Sequence, residues 1–224
     1  MSDFNTLNLI KAVDLGAHCF SVTIHEGKIY AGCYGNVYIV DEHYTINKWK
    51  VQLGIGDAVN SIVFDQDRAH TLIYAFKHNK TFKVFIPPSE DKQETKEWVH
   101  YDSCTFSNQL AAVSQQLVIP SRSHKTLVIY SREGKVLRHI PLEISFNQTA
   151  ICAAGCDSVI VTDYHSSQIY RVNVSSSKIE WVSKEVASPQ GVTTYREEYV
   201  LVWSFGRRTV CLLHAASGKL DVGL

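Results

Sequence analysis

No apolar run in the 224 residues approaches the length of a membrane-spanning helix. The start, Met1-Ser-Asp-Phe-Asn-Thr, lacks the basic stretch and apolar run of a secretory leader. Neither sign of charge prevails, since 22 Lys and Arg balance 22 Asp and Glu. That balance argues against a chain that binds nucleic acid over its whole surface. No amphipathic helical period occurs anywhere, which removes the α/β classes. No Gly-x-Ser-x-Gly elbow and no phosphate-cradling Gly loop is present. The six cysteines (Cys19, Cys33, Cys104, Cys152, Cys156 and Cys211) fall at unrelated spacings. Without a leader they are expected to be reduced thiols in a cytoplasmic protein. Cys152 and Cys156 lie four apart, but no His or second Cys pair accompanies them as zinc would require.

What the chain does have is repetition. Short β-branched and aromatic runs, each bounded by Gly or polar residues, follow one another along its length. Ser21–Ile24, Lys28–Gly32, Asn36–Val40 and Asn47–Leu53 make one four-strand phrase. The phrase recurs from Ser61, Leu110 and Ala150, and once more over Ser188–Lys219. Residues preceding the first strand of each copy are Phe20, Asn60, Gln109, Gln148 and Gln190, roughly 40 to 50 residues apart, a spacing that fits four-stranded propeller blades. Pro87-Pro88 and the charged residues after them lengthen one loop. A sandwich or another barrel does not predict one phrase five times over. The expectation is therefore an all-β propeller, a single domain over residues 1–224, with about five blades visible and six not excluded. Residues 7–15 read as an N-terminal strand that closes the last blade and removes an exposed edge. Gly218–Val222 reads as a competing fourth strand at the other end.

The last copy resembles an NHL repeat: Pro189-Gln-Gly-Val, then Tyr199-Val-Leu-Val, a polar loop, Val210-Cys-Leu-Leu and Ser217-Gly-Lys. The likeness is clear over residues 188–219 and diffuse in the other copies, which lack the Pro-x-Gly start. The Trp-Asp dipeptide of WD repeats and the paired glycines of kelch repeats are absent. NHL propellers often form the C-terminal part of tripartite-motif proteins, where they recognise protein or RNA. The resemblance implies that role here, without the ligase parts of such proteins.

In a propeller the loops joining second to third strands share one face. Here they carry Tyr34, Lys77, His78, Lys80, Arg122, His124, Lys125, Tyr164, His165, Phe205, Arg207 and Arg208, with Phe82 nearby and Asp163 as the clear acid. The opposite loops carry Glu26, Asp41, Glu42, Asp157, Glu197 and Glu198 among other acids. A basic face set with rings suits an acidic peptide gripped by Arg, or single-stranded RNA with bases stacked on the rings. The amides Asn60, Gln109, Gln148 and Gln190 sit where each chain segment enters an innermost strand. They either ring a channel mouth and hold a small polar ligand or water, or satisfy backbone groups between blades.

Catalysis has little support. A gluconolactonase-like hydrolase with a channel metal needs several convergent carboxylates, which the first strands do not supply. His165 between Asp163 and Ser166 imitates a nucleophile–base pair only by adjacency. The functional expectation is a non-catalytic interaction module without cofactor or metal. Its partner is expected to be a protein or peptide, with single-stranded RNA and then lactone hydrolysis as the alternatives.

Overall fold

The computed structural model describes residues 12–34, 36–50, 58–59, 61–66, 71–77, 80–86, 95–100, 109–122, 124–146 and 148–223. They form five four-stranded antiparallel meanders. Sheet 1 holds β1 (Cys19–His25), β2 (Lys28–Cys33), β3 (Asn36–Val40) and β4 (Ile46–Lys50). Sheet 2 holds β5 (Ile62–Gln66), β6 (Thr71–Lys77), β7 (Lys80–Ile86) and β8 (Thr95–His100). Sheet 3 holds β9 (Ala111–Val113), β10 (Gln116–Ser121), β11 (Thr126–Ser131) and β12 (Val136–Pro141). Sheet 4 holds β13 (Ile151–Ala154), β14 (Ser158–Asp163), β15 (Gln168–Asn173) and β16 (Lys178–Ser183). Sheet 5 holds β17 (Pro189–Tyr195), β18 (Tyr199–Ser204), β19 (Thr209–His214) and β20 (Leu220–Gly223). The chain divides into two compact units, within Leu9–Ser103 and Cys104–Leu224.

In the second unit, consecutive sheets bury their faces against each other. Val118, Leu127 and Ile129 of sheet 3 pack on Ile151, Val159, Val161, Tyr170 and Val172 of sheet 4. The other face of sheet 4, with Ala154, Ile160 and Ile169, packs on Val200, Val202, Cys211 and Leu213 of sheet 5. A strand covered on both faces must be apolar at successive positions, not alternate ones. Hence β14 reads Val-Ile-Val at its centre and every residue of it is buried.

Side chains tie neighbouring sheets at repeated places. Arg138 of β12 donates to the Val174 carbonyl at 2.5 Å, and Trp181 Nε1 of β16 donates to the Ala215 carbonyl at 2.9 Å. Val174 and Ala215 each follow the third strand of their sheet. Arg171 adds a second bond to Ala215 O and an ion pair with Glu180 at 2.6 Å. Gly218, at φ 68°, lets the chain pass under this indole, because a Cβ there would lie 2.6 Å from the Trp181 ring.

In the first unit, sheet 1 packs one face on the start of sheet 2. His25 stacks on Phe64 at 4.2 Å between centroids, Tyr30 meets the same ring edge-on, and Val59 N donates to Cys33 O at 2.9 Å. Gly32 permits that approach, since a Cβ on it would stand 2.5 Å from Val59 O.

Two expectations are corrected. The last sheet takes its outer strand from Leu220–Gly223, and residues 12–18 carry no strand; residues 7–11 lie outside the described residues. The turn at 215–217 and the left-handed Gly218 bring β20 straight back onto β19, so the local hairpin supplies this edge. The cysteines are not all thiols either: Cys19 and Cys33 form a disulfide. They are cross-strand partners in the β1–β2 register, with Cα atoms 4.2 Å apart. Register, not spacing, made them neighbours. Cys152 stays a thiol, and burial pushes its pKa up to about 12, which disfavours the thiolate a metal would need. Cys156 lies exposed in the next turn.

Candidate functional site: a repeated turn at the end of the second strand

The turns from second to third strand in sheets 3, 4 and 5 are three copies of one structure. Each strand ends on a buried polar residue: Ser121, Asp163 and Ser204. Four turn residues follow, and the last of them is left-handed each time: Lys125 at φ 51°, Ser167 at φ 52° and Arg208 at φ 55°. The buried residue holds the third turn residue. Ser121 Oγ lies 3.0 Å from His124 Nδ1, Ser166 Oγ donates to Asp163 at 2.7 Å, and Arg207 N–H donates to Ser204 Oγ at 3.2 Å. Small polar residues suit this place because they satisfy backbone and turn donors without needing space.

Two of these caps also fasten the segment leading into their sheet. Ser204 Oγ donates to Ala187 O at 2.6 Å, and Ser145 donates to Asp163 through both its amide and its hydroxyl. The turns also join laterally, with the Tyr164 and Phe205 rings 5.9 Å apart and Ser188 N donating to Ser167 Oγ.

Asp163 is the residue whose position changes the chemistry of the face. It is 1% exposed and accepts from Ser145 N, Ser145 Oγ, His165 N and Ser166 Oγ. Burial alone would raise its pKa, but the hydrogen bonds from Ser166, Ser145 and His165 together hold it below the ordinary carboxylate value. The carboxylate therefore points into the turn. It receives the His165 backbone, so the Asp163-His165-Ser166 resemblance to a catalytic relay resolves into a turn cap.

With the acid withdrawn, the exposed turn residues include Arg122, His124, Lys125, His165, Phe205, Arg207 and Arg208, with Tyr164 half-buried among them. The segments between sheets add Lys184, Glu143 and Glu185 at this end, and Glu185 is engaged by the Leu220 N–H at 2.6 Å. At the opposite end, the first-to-second turns expose Asp157, Glu197 and Glu198 beside Arg196. The hydroxyls of Ser114 and Ser175 hold Asp157 below the usual carboxylate range. In the first unit, Tyr34 is exposed and packs edge-on against Phe20 at 4.8 Å. Lys77 and Lys80 face each other as the last pair of β6 and β7, and His78 lies outside the described residues.

Of the four amides, Gln109 accepts the Ile151 N–H at 3.2 Å and thus serves the backbone of the next sheet. Gln148 and Gln190 are exposed, and Asn60 lies outside the described residues. Among the described residues, no three His, Cys, Asp or Glu side chains converge as a metal would require.

No protein-family model and no curated protein matches the sequence. Solved structures do match. A catalytically inactive virginiamycin B lyase from Staphylococcus aureus, crystallised with quinupristin, aligns at TM-score 0.69 and 12% identity, over 94% of this chain and 71% of that one. A protein of unknown function from Bacteroides caccae aligns at TM-score 0.69 and 11% identity, over 96% and 84%. A chain of the mitotic checkpoint complex aligns at TM-score 0.62 and 10% identity, over 98% and 74%. The fold is a β-propeller. Its sheets are blades, and at these identities the likeness extends to fold alone.

Proposed function

We propose that this propeller is a non-catalytic interaction module that binds an acidic segment of a protein partner on its second-to-third turns. The observation that carries the reading is the inward-turned Asp163. Three like turns present Arg, Lys, His and two touching rings, while their one acid is buried and turned inward onto Ser145 and Ser166. Arg forks recognise carboxylates by paired hydrogen bonds, and a rigid aromatic pair gives an apolar anchor beside them. The Pro189-Gln-Gly start of blade 5 resembles NHL propellers, for which recognition of protein or RNA is the expected role. The fold itself serves both kinds of protein, since its likenesses include a lyase and a member of a checkpoint assembly.

The test is fluorescence anisotropy with a labelled Asp/Glu-rich peptide containing one Leu or Phe. Its amidated Asn/Gln counterpart and a single-stranded RNA pool serve as parallel ligands. Binding of the acidic peptide should weaken at least tenfold in Arg122→Glu/Arg207→Glu/Arg208→Glu and fall with added salt. Indifference to the acidic peptide overturns the reading. RNA binding with a steep salt slope, lost in the same variant, would replace it with the nucleic-acid alternative.

A further inference from the structure

The repeat puts one residue of each second-to-third turn in the same place, directly after the buried cap. In blades 3, 4 and 5 that residue is Arg122, Tyr164 and Phe205. Blade 3 thus offers a cation where blades 4 and 5 offer rings. Because the turns are alike and the blades adjacent, the two rings meet, with centroids 5.9 Å apart and planes at 62°. His165 also stands edge-on to Tyr164, at 5.3 Å. Phe205 is nevertheless 53% exposed. A large ring left in water beside a second ring is apolar area that the fold itself does not use.

The backbones of both rings are fixed before any ligand arrives. The segment Ala187–Ser188, which leads into blade 5, is bonded to both turns. Ser188 N–H donates to Ser167 Oγ of the blade 4 turn at 3.0 Å, and Ser188 O accepts the Phe205 N–H at 3.1 Å. Ala187 O accepts the hydroxyl of Ser204, the residue before Phe205, at 2.6 Å. The blade 5 turn lies so close to this segment that a Cβ on Gly206 would stand 3.4 Å from Ser188 Oγ and 3.5 Å from Ala187 Cβ. Ser188 makes its two bonds from the left-handed region, at φ 48°, and Ser167 is left-handed too, at φ 52°. A residue other than glycine persists there where surrounding bonds over-determine it, and such places concentrate at ligand clamps. Rings fixed in advance lose little freedom on binding, so contact with them adds to affinity instead of offsetting an ordering cost.

We infer that the junction of blades 4 and 5 is a subsite for one aromatic side chain of the partner, seated against Phe205 and Tyr164, and that Ser188 is its positioning residue. This rests on the acidic-segment reading above and narrows it. Arg207 and Arg208 are exposed in the same turn as Phe205, so the partner's carboxylates must lie close to that aromatic residue. An aromatic side chain is favoured over an aliphatic one because ring edges and ring faces attract. The cations draw in acidic segments at large, since exposed charge acts at range, and the rings decide which segment stays.

The experiment is fluorescence anisotropy with labelled Asp/Glu-rich peptides that carry Phe, Leu or Ala at one position. Wild type should bind the Phe peptide about tenfold more tightly than the Ala peptide, with the Leu peptide between them. Phe205→Ala, with its fold checked by circular dichroism, should shrink that preference to within about twofold. Ser167→Ala removes the acceptor of the Ser188 N–H and should lower the preference about threefold, a ratio that a loss of stability alone does not move. Arg207→Glu/Arg208→Glu should weaken all three peptides alike and keep the ratio. Equal binding of the three peptides by wild type, or a Phe preference that survives in Phe205→Ala, overturns the inference and leaves the acidic-segment reading standing. A preference unchanged in Ser167→Ala overturns the role of Ser188. A wild type that binds none of the peptides overturns the acidic-segment reading, and the subsite with it.

Discussion

Blade 4 and blade 1 share a four-strand plan and differ in what lies on their faces. Blade 4 stands between two neighbours, and its second strand, Ser-Val-Ile-Val-Thr-Asp, is buried from end to end. Blade 1 has a neighbour described on one side, and its first strand alternates between half-buried and exposed residues. The residues exposed in blade 1 are nonetheless Val and Ile, the types that blade 4 buries at equivalent positions. How much each apolar side chain contributes is therefore set by how far it is buried, not by its type.

The largest expected contrast is a matched pair of truncations. Ile160→Ala, in the middle of blade 4, should destabilise by about 2–5 kcal/mol. Ile24→Ala in blade 1 should change stability by no more than about 0.5 kcal/mol. Urea unfolding of the two variants makes the comparison, and equal losses would break it.

Blade 1 has a covalent tie that blade 4 lacks. The Cys19–Cys33 disulfide spans 14 residues. Cys19→Ser, or reduction, should cost on the order of 3 kcal/mol from loop entropy. The loss should appear in the melting of the Leu9–Ser103 unit, with free thiols counted alongside. An unchanged thermal midpoint would show that strand pairing alone holds β1.

Asp163 supplies blade 4 with a polar tie in place of a covalent one. Because its native pKa lies below the ordinary 3.8, the stability it lends is fully present above that value. The unfolded chain takes up the proton first, so that stability is lost as pH falls through the native pKa. Asp163→Asn should therefore lose about 1–3 kcal/mol near neutrality and show a shallower acid limb than wild type. Parallel acid limbs in the two proteins would contradict the assigned cause.

The last contrast, comparable in size to that of Asp163, concerns the packed side of blade 1. Gly32→Ala should cost about 1–3 kcal/mol, because the added Cβ meets Ser21 Oγ and Val59 O. Differential scanning calorimetry would check it. A neutral outcome would mean that this face is looser than the corresponding face of blade 4.

Much of this architecture was legible in local residues, because antiparallel meanders are built from neighbouring strands and punctuated by Gly and polar turns. The five strand phrases lie where spacing places them, and so do the second-to-third turns that hold Arg122, His124, Lys125, Tyr164, His165, Phe205, Arg207 and Arg208, whereas Lys77, Lys80 and Phe82 belong to strands. The edge strand of blade 5 was ambiguous in sequence, since residues 7–15 and 218–222 both alternate suitably. The hairpin through Gly218 favours the nearer one.

Sequence by itself determined the strand order, the repeat and the identity of the turn cations, since these depend on contacts within about forty residues. Only tertiary structure decided that Cys33 meets Cys19, that Asp163 turns inward to Ser145, and that Gln109 serves the Ile151 amide. Each of those depends on which groups face one another across a register or a blade boundary. The energy of burying a polar or apolar group is set by that partner, and composition carries no record of it.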